Sequence, residues 1–296
     1  DMNGIVVPAP PPTDQLKVFI IGGPTGLIGK TLLNMMTNER KTPGIDCIGA
    51  CNTSYCVKFL PDGSTERTDW FDGMKLTDEF IASCAASSSC PGANICIADC
   101  SASEDIANRY ASWLSKGWHV VTPNKKANSG PLERYQKCID ASNAEGAGKW
   151  YVECTIGAGL PVVSALRTYI ATGEEIRSVK GIFSGTMSFL FNTWDGKSAF
   201  SEVVAKAKEA GYTEPDPRDD LNGMDVARKV VIAARESGLL ISLEDVSIES
   251  LVPKDLEGVS AEEFSARFKE SDASIAERAA KADAGGNVLR FLGEVD

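Results

Sequence analysis

The stretch from Gly211 to Lys229 gathers the residue types that handle a small polar substrate. Carboxylates at Glu214, Asp216, Asp219, Asp220 and Asp225 lead up to an amine at Lys229. Pro215 and Pro217 bias Glu214 and Asp216 toward extended backbone, so the acidic loop is stiff. Asp219 or Asp220 is placed to cap a following helix. Beyond them Val226, Ala227, Val230, Val231, Ile232, Ala233 and Ala234 are apolar on nearly every face, which predicts a largely buried helix. Asp225 and Lys229 lie four apart and share one face of it. Two readings stand side by side: an ordinary intrahelical ion pair, or a carboxylate and an amine facing a substrate. Burial favours the second, because a poorly solvated ammonium is costly and gives up its proton more readily.

Other segments must position that chemistry. Leu16 to Ile21 is an apolar run that ends in Gly22-Gly23-Pro24-Thr25-Gly26-Leu27-Ile28-Gly29, and Lys30 to Met36 read as helix. Strand, glycine turn and helix form the context of a dinucleotide fingerprint, in which the backbone approaches a pyrophosphate at a helix N-terminus. The spacing is Gly23-x-x-Gly26-x-x-Gly29, which predicts a wider turn than G-x-G-x-x-G. Asp46 to Cys51 read as a second strand. An acid near its end would bind the ribose 2′-hydroxyl of NAD; Cys51, Asn52, Thr53 and Ser54 stand there instead, with Lys58 beyond. That favours NADPH acceptance or dual use, with Lys58 either a participant or a solvated surface residue. Ala93 to Cys100 read as a buried strand that places Ser101 at its carboxyl end, and a helix runs on through Leu114. Trp118 to Val121 end another strand in the polar loop Thr122-Pro123-Asn124-Lys125-Lys126. The alternation of strand and helix predicts an α/β fold with a mostly parallel, doubly wound sheet to about residue 145. Ala144 to Lys149 is a plausible domain junction. After it, Ile176 to Trp194 contain a strand-to-helix turn at Ser184-Gly185-Thr186, Phe200 to Gly211 read as an amphipathic helix, and Val288 to Leu292 as a final strand.

Composition narrows the partners. A net charge of −11 argues against nucleic acid, which wants a basic face. No apolar run approaches the roughly 20 residues that span a bilayer. Asp1 to Asp14 have neither the basic nor the apolar region of a signal peptide; Pro8, Pro10, Pro11 and Pro12 make residues 1–15 a stiff, disordered tail. Cytoplasm or plastid stroma is the expected location. The nine cysteines contain no CxxC pair, so zinc is not expected and they read as reduced core thiols. His119, the one histidine, excludes multi-histidine metal sites and reads as a packing residue.

The run from Gly211 to Lys229 resembles the signature of the homoserine dehydrogenases, and the resemblance extends over roughly residues 16–296. Asp99 to Asp105 and Thr122 to Pro131 look closest to the plant type, often fused behind an aspartate kinase. The resemblance implies a Rossmann-like dinucleotide-binding domain over residues 16–148 and an α+β substrate-binding and dimerisation domain over 149–296. It implies NADP(H) or NAD(H) held by Gly23, Thr25, Gly26, Leu27, Ile28, Ser101 and Lys125. It places Thr186 and Gly211 beside the substrate. It also implies a monovalent cation, usually sodium, on backbone carbonyls of Glu153, Ile156, Ala158 and Leu160; read from the residues alone, that segment is a strand leaving through a glycine turn into a helix started by Pro161. Members of the family continue past Asp296 to complete the nucleotide domain, so a further segment and an upstream kinase are expected in the whole protein, which would be a homodimer.

Without a suitable histidine, lysine is the natural acid or base. The implied reaction is reduction of L-aspartate 4-semialdehyde to L-homoserine, on the route to threonine and methionine. The resemblance implies that Lys229 donates the proton to the aldehyde oxygen with Lys125 assisting. Glu214 and Asp225 hold the substrate ammonium or hydroxyl, and Asp220 fixes the lysine. One competing reading, a semialdehyde dehydrogenase with a nucleophilic cysteine, needs a histidine base and has only His119. The other is a nucleotide-binding regulatory module without turnover.

Overall fold

Leu16–Ile21 form the first strand, β1, because a short run that is apolar on both faces suits the middle of a parallel sheet. The computed structural model describes residues 15–39, 44–70, 76–88 and 93–296. The proline-rich stretch of residues 1–14 and Cys90 lie outside them. The chain divides into two compact units, Asp1–Thr155 and Ile156–Asp296. The division falls after the Ala144–Lys149 junction because Trp150–Tyr151 still pair into the first unit's sheet.

Strands of the first unit are β1, β2 (Ile45–Cys51), β3 (Tyr55–Phe59), β4 (Thr65–Asp69), β5 (Asn94–Asp99), β6 (His119–Val121) and β7 (Trp150–Tyr151). They form one sheet in the order β4-β3-β2-β1-β5-β6-β7. The five strands from β2 to β7 in that order are parallel, and the β3–β4 hairpin extends the sheet antiparallel beyond β2. Among the described residues, six α-helices accompany it: α1 (Leu27–Asn34), α2 (Asp78–Ala86), α3 (Glu104–Ala107), α4 (Tyr110–Ser115), α5 (Lys126–Ser129) and α6 (Leu132–Asn143). The helix expected to run unbroken to Leu114 is two helices, α3 and α4. Arg109 separates them: its guanidinium leaves to donate to the Leu76 carbonyl at 2.7 Å and to Asp78. Asp78 also accepts from the Trp113 indole and pairs with Lys116, so one carboxylate joins α2 to α4.

The second unit holds α7 (Val162–Ala171), β8 (Val179–Gly181), α8 (Gly185–Thr193), α9 (Phe200–Glu209), α10 (Arg218–Leu221), α11 (Met224–Glu236), α12 (Ala261–Arg267), α13 (Asp272–Ala284) and β9 (Gly293–Val295). β8 and β9 pair antiparallel. An aromatic core of Phe191, Trp194, Phe200, Phe264 and Phe268 joins α8, α9 and α12. α11 buries Val226, Ala227 and Val230 to Glu236, as its sequence predicts. Two expectations are corrected. The final strand is Gly293–Val295 and not Val288–Leu292: Val288 is 70% exposed, and Arg290 ties the preceding run to α8 by donating to the Phe191 carbonyl. Gly293 starts the strand because only a glycine fits there; a Cβ would lie 2.3 Å from the Phe183 ring and 2.9 Å from Val230. Neither Asp219 nor Asp220 caps α11. Both fall within α10, and α11 starts from Gly223 at φ 74°, with Asn222 Oδ1 accepting from the Met224 amide.

α1 packs hard against the turn that precedes it. A Cβ on Gly29 would stand 2.4 Å from the Gly22 carbonyl oxygen and 2.8 Å from the Gly23 Cα. Gly29→Ala should therefore destabilise the chain by about 1–3 kcal/mol, the usual range for overpacking a tight interior. Urea unfolding followed by circular dichroism checks this; a loss below about 0.5 kcal/mol, typical of an unconstrained surface site, would show that the turn yields.

Candidate active site

In the first unit the chemistry-bearing residues lie at the carboxyl ends of the strands, where ligands bind in open α/β sheets. Gly22 leaves β1 at φ 79° and donates to the Cys51 carbonyl at 2.8 Å. Gly23 is buried beneath Ala50 and Ile20. Gly26 precedes α1 as its N-cap, and its amide donates to Gly22 O at 3.1 Å. No side chain caps α1, so its first N–H groups stay open to a ligand. Leu27 and Ile28, in that first turn, are 81% and 57% exposed. Thr25 accepts from Asn52 Nδ2 at 3.4 Å. The turn thus has the form of an anion cradle: backbone donors at a helix start, and glycines where a Cβ would fill the space.

Asn52 occupies the position at the end of β2 where an acid was sought. Its Oδ1 accepts from the amides of Ser54 at 2.7 Å and Tyr55 at 2.9 Å, so it builds its own turn. Lys58 is not a solvated residue; it pairs with Glu66 across the β3–β4 hairpin at 3.8 Å. His119 packs as expected, its Nδ1 accepting from the Lys149 amide and its ring near Tyr151.

Ser101 and Lys125 sit on adjoining loops after β5 and β6. Ser101 N donates to Asp99 Oδ1 at 2.9 Å, and Ser101 Oγ accepts from Ser103 N at 3.2 Å. Lys125 is the N-cap residue of α5, and its carbonyl accepts from both the amide and the hydroxyl of Ser129. Beneath these loops lie Asp99, Tyr110, Thr122 and Asn124, all buried and joined by hydrogen bonds. Sequence reasoning passed over this group. Its one visible signal was a charged residue closing an otherwise apolar strand.

The second unit assembles the opening motif. Lys229 Nζ is 2.6 Å from Asp225 Oδ2 and donates to the Phe183 carbonyl at 2.7 Å. The lysine side chain is 17% exposed and the aspartate 44%, so the pair faces outward from a buried helix. Phe183 leads into α8, where Ser184 caps the helix by accepting from Met187 N, and Thr186 donates to the Tyr212 carbonyl at 3.0 Å. Tyr212 follows Gly211, at φ 74°, and stacks on Phe189 with centroids 4.4 Å apart. Asp220, expected to fix the lysine, instead accepts from the Glu214 amide at 2.8 Å, which leaves the Glu214 carboxylate on an exposed residue. Hydrogen bonds therefore link Thr186 to the Gly211 turn and Asp220 to Glu214, while Phe183 ties Lys229 to the start of α8. A cleft of about 580 Å³ elsewhere in this unit is lined by Val226, Val230, Leu251, Phe291 and others, and by none of these polar residues.

Glu153 lies in a single helical turn at the end of the first unit, and Ile156, Ala158 and Leu160 open the second. Gly157 and Ala158 are both left-handed, at φ 75° and 52°, and Ala158 is the only non-glycine residue with positive φ among those described. The Leu160 carbonyl already accepts from Val162 N at 2.9 Å. Eight described cysteines are free. Burial pushes the Cys47, Cys51 and Cys96 thiols up to about 12, so they stay protonated and are poor nucleophiles. Cys154 departs from the expected core set, being exposed. Among the described residues, no helix is long and apolar enough to cross a membrane.

Residues 25–153 match the family model for the homoserine dehydrogenase NAD binding domain, and residues 161–296 match the homoserine dehydrogenase model itself. A homoserine dehydrogenase of Schizosaccharomyces pombe is 47% identical over 95% of this chain and 78% of its own length. The chain belongs to the homoserine dehydrogenase family. The chloroplastic bifunctional aspartokinase/homoserine dehydrogenase 1 of Zea mays is 44% identical over 95% of the chain, which spans 31% of that protein's length. Among solved structures, a Candida auris protein of unknown function is similar at TM-score 0.82 and 32% identity, covering 95% of this chain and 80% of that one. A hyperthermophilic archaeal homoserine dehydrogenase in complex with NADPH shares the fold at TM-score 0.59 and 21% identity, over 75% of this chain and 70% of that one. The first unit is accordingly the nicotinamide-nucleotide domain of this homoserine dehydrogenase family member.

The acidic loop is stiffened by more than its prolines. Asp216 pairs with Arg218 at 2.6 Å, and Arg218 also donates to the carbonyls of Leu256, Glu257 and Val259. Hydrogen bonds from the guanidinium outweigh burial and hold the Asp216 carboxyl below its ordinary value. A lowered carboxyl contributes stability above the unfolded value, about 3.9, and loses it as pH falls through the folded one. Asp216→Asn should lower the melting temperature at pH 7 by a few degrees, with the gap to wild type closing as acid titrates the carboxyl, from below about pH 5 downward. A gap that stays constant across that range in thermal melts would remove the carboxylate from the explanation.

Proposed function

We propose that the chain catalyses the NAD(P)H-dependent reduction of L-aspartate 4-semialdehyde to L-homoserine. The observation that carries this reading is Lys229 on buried α11, held between the Asp225 carboxylate and the Phe183 carbonyl. When bound, the reduced nicotinamide supplies the hydride that goes to the aldehyde carbon. Lys229 gives a proton from Nζ to the aldehyde oxygen as the carbonyl becomes an alcohol, and Asp225, 2.6 Å away, holds the amine in place for that step. Glu214 and Asp225 receive the substrate ammonium or the new hydroxyl. Asp220 sets the Glu214 backbone, and Thr186 and Gly211 set the turn beside it. Lys125, on the nucleotide unit, assists as a second cation.

The cradle formed by Gly23, Thr25, Gly26, Leu27 and Ile28 suits a pyrophosphate, with Ser101 at the neighbouring strand end. Asn52 in place of an acid supports acceptance of NADPH, alone or together with NADH. A monovalent cation on the carbonyls of Ile156, Ala158 and Leu160, with Glu153, belongs to the same reading; the left-handed backbone of Gly157 and Ala158 marks the turn that would hold it. Dimerisation through the second unit's sheet belongs to the same reading, and Tyr169 and Ile170 of α7, which are 54% and 43% exposed, offer apolar surface in that unit. Fusion to an aspartate kinase is a property of the plant relatives; the proposed reaction holds with or without it.

The test is NADPH oxidation with aspartate 4-semialdehyde. Lys229→Ala should lower kcat by about 10²–10⁴-fold, the usual contribution of a positioned general acid, while NADPH binding by fluorescence stays within about threefold. Lys229→Arg keeps the charge and a donor for Phe183 O, yet arginine does not release a proton at working pH, so it should stay inactive. Full activity in either variant would sink the assignment of the acid, and wild-type protein that binds NADPH without turnover would favour a regulatory module.

A further inference from the structure

Asp99, the last residue of β5, is fully buried. Among the described residues no lysine or arginine forms an ion pair with it. Burying a carboxylate without a cation is expensive unless several donors converge on it, and here they do. Oδ1 accepts from the Ser101 amide at 2.9 Å; Oδ2 accepts from the Tyr110 hydroxyl and from Asn124 Nδ2, the latter at 3.0 Å. The Asp99 carbonyl accepts from the Thr122 hydroxyl at 2.7 Å.

The donors come from two different loops and from α4. Ser101 belongs to the loop after β5; Thr122 and Asn124 belong to the loop after β6. Asn124 carries the link onward. Its Nδ2 also donates to the Ser103 carbonyl at 2.9 Å, its Oδ1 accepts from the Lys126 amide at 3.0 Å, and its own amide donates to Thr122 Oγ1 at 2.8 Å. Lys125 stands between Asn124 and Lys126, so the residues on both sides of it are fixed to the Asp99 network, while Ser129 holds its carbonyl. The same strand end touches the glycine turn, since Cys100 N donates to the Ile21 carbonyl at 2.9 Å.

We propose that Asp99 is a positioning residue: its carboxylate, with Tyr110 and Asn124, locks the Ser101–Ser103 loop to the Thr122–Lys126 loop and so fixes Lys125. Burial first, and the adjacent carboxylate second, raise the Tyr110 hydroxyl well above its ordinary value, so it remains a donor at every working pH. The consequence for turnover rests on the function proposed above; the locking of the loops does not.

Two variants test it in the full chain. Asp99→Asn turns one acceptor into a donor that faces donors, and Tyr110→Phe removes one donor while keeping the ring packed beside Trp113 and Trp150. Amide exchange by NMR is expected to speed up about tenfold or more at Ser101, Ser103, Asn124 and Lys126 together, with β1 unchanged, since each of these amides donates to a side-chain oxygen of the network. Acceleration in one loop only, or in neither, overturns the proposal. Kinetics then separate positioning from general support. Asp99→Asn should lower kcat about tenfold or more in the wild-type background and less than about twofold further in a Lys125→Ala background, because residues acting through one another are non-additive. Equal losses in both backgrounds overturn the role in positioning. If the wild type shows no turnover with NADPH and the semialdehyde, the functional reading fails, and the exchange result still decides whether Asp99 couples the loops.

Discussion

Helix α11 is buried along most of its length, and that constraint governs the second unit. Its apolar residues from Val226 to Ala234 leave little surface for charge. The charges it does carry must find partners within reach. At its start Lys229 meets Asp225 and the Phe183 carbonyl. At its end Glu236 receives a two-pronged contact from Arg167 of α7, at 2.7 and 3.0 Å. The Phe183 contact fixes where β8 hands over to α8, and Phe183 itself packs on Gly293 of β9. A lysine that needed only solvation would impose none of this order. Because its ammonium is mostly withdrawn from water, an exchange of one of its partners for a substrate group changes its charge balance more than the same exchange would at the surface.

The two units treat acidic groups differently. In the second, the carboxylates of the Glu214–Asp225 loop stay partly exposed, and the loop is held by Arg218 reaching across to three carbonyls and lying over Phe264 at 5.3 Å. In the first, Asp99 is withdrawn from water altogether and satisfied by neutral donors. The open set suits exchange with an incoming polar molecule. The closed one suits a fixed scaffold, since its partners have nowhere else to bond.

Much of this organisation was legible in the residues. The β1–glycine–α1 unit could be read because a short apolar run, closely spaced glycines and a helical pattern agree with one another. α11 could be read because its apolar residues leave only a narrow side, that of Asp225 and Lys229, for polar groups. The β3–β4 hairpin was missed because Thr65–Asp69 is polar at every position, the pattern of a loop, and becomes a strand only by pairing with Tyr55–Phe59. The last strand was set too early because Val288–Leu292 is more apolar than Gly293–Val295, while the ladder is decided by where a glycine lets Phe183 and Val230 approach. The break between α3 and α4 and the network around Asp99 escaped for a shared reason. Arg109 and Asp99 act on residues far away in sequence, which no local pattern reveals. The Asp225–Lys229 pair could be read from its four-residue spacing, whereas the Phe183 carbonyl beside it and the contacts around Lys125 became visible only with the fold.

The turn after β2 separates two properties that usually travel together. Asn52 supports that turn with a single oxygen, which accepts from the Ser54 and Tyr55 amides. An aspartate offers the same oxygen in the same geometry. The side chain at this position can therefore gain or lose a negative charge without disturbing the hairpin beyond it or the Trp70 indole that donates to the Asn52 carbonyl. Charge and backbone geometry at this strand end are therefore set independently of each other.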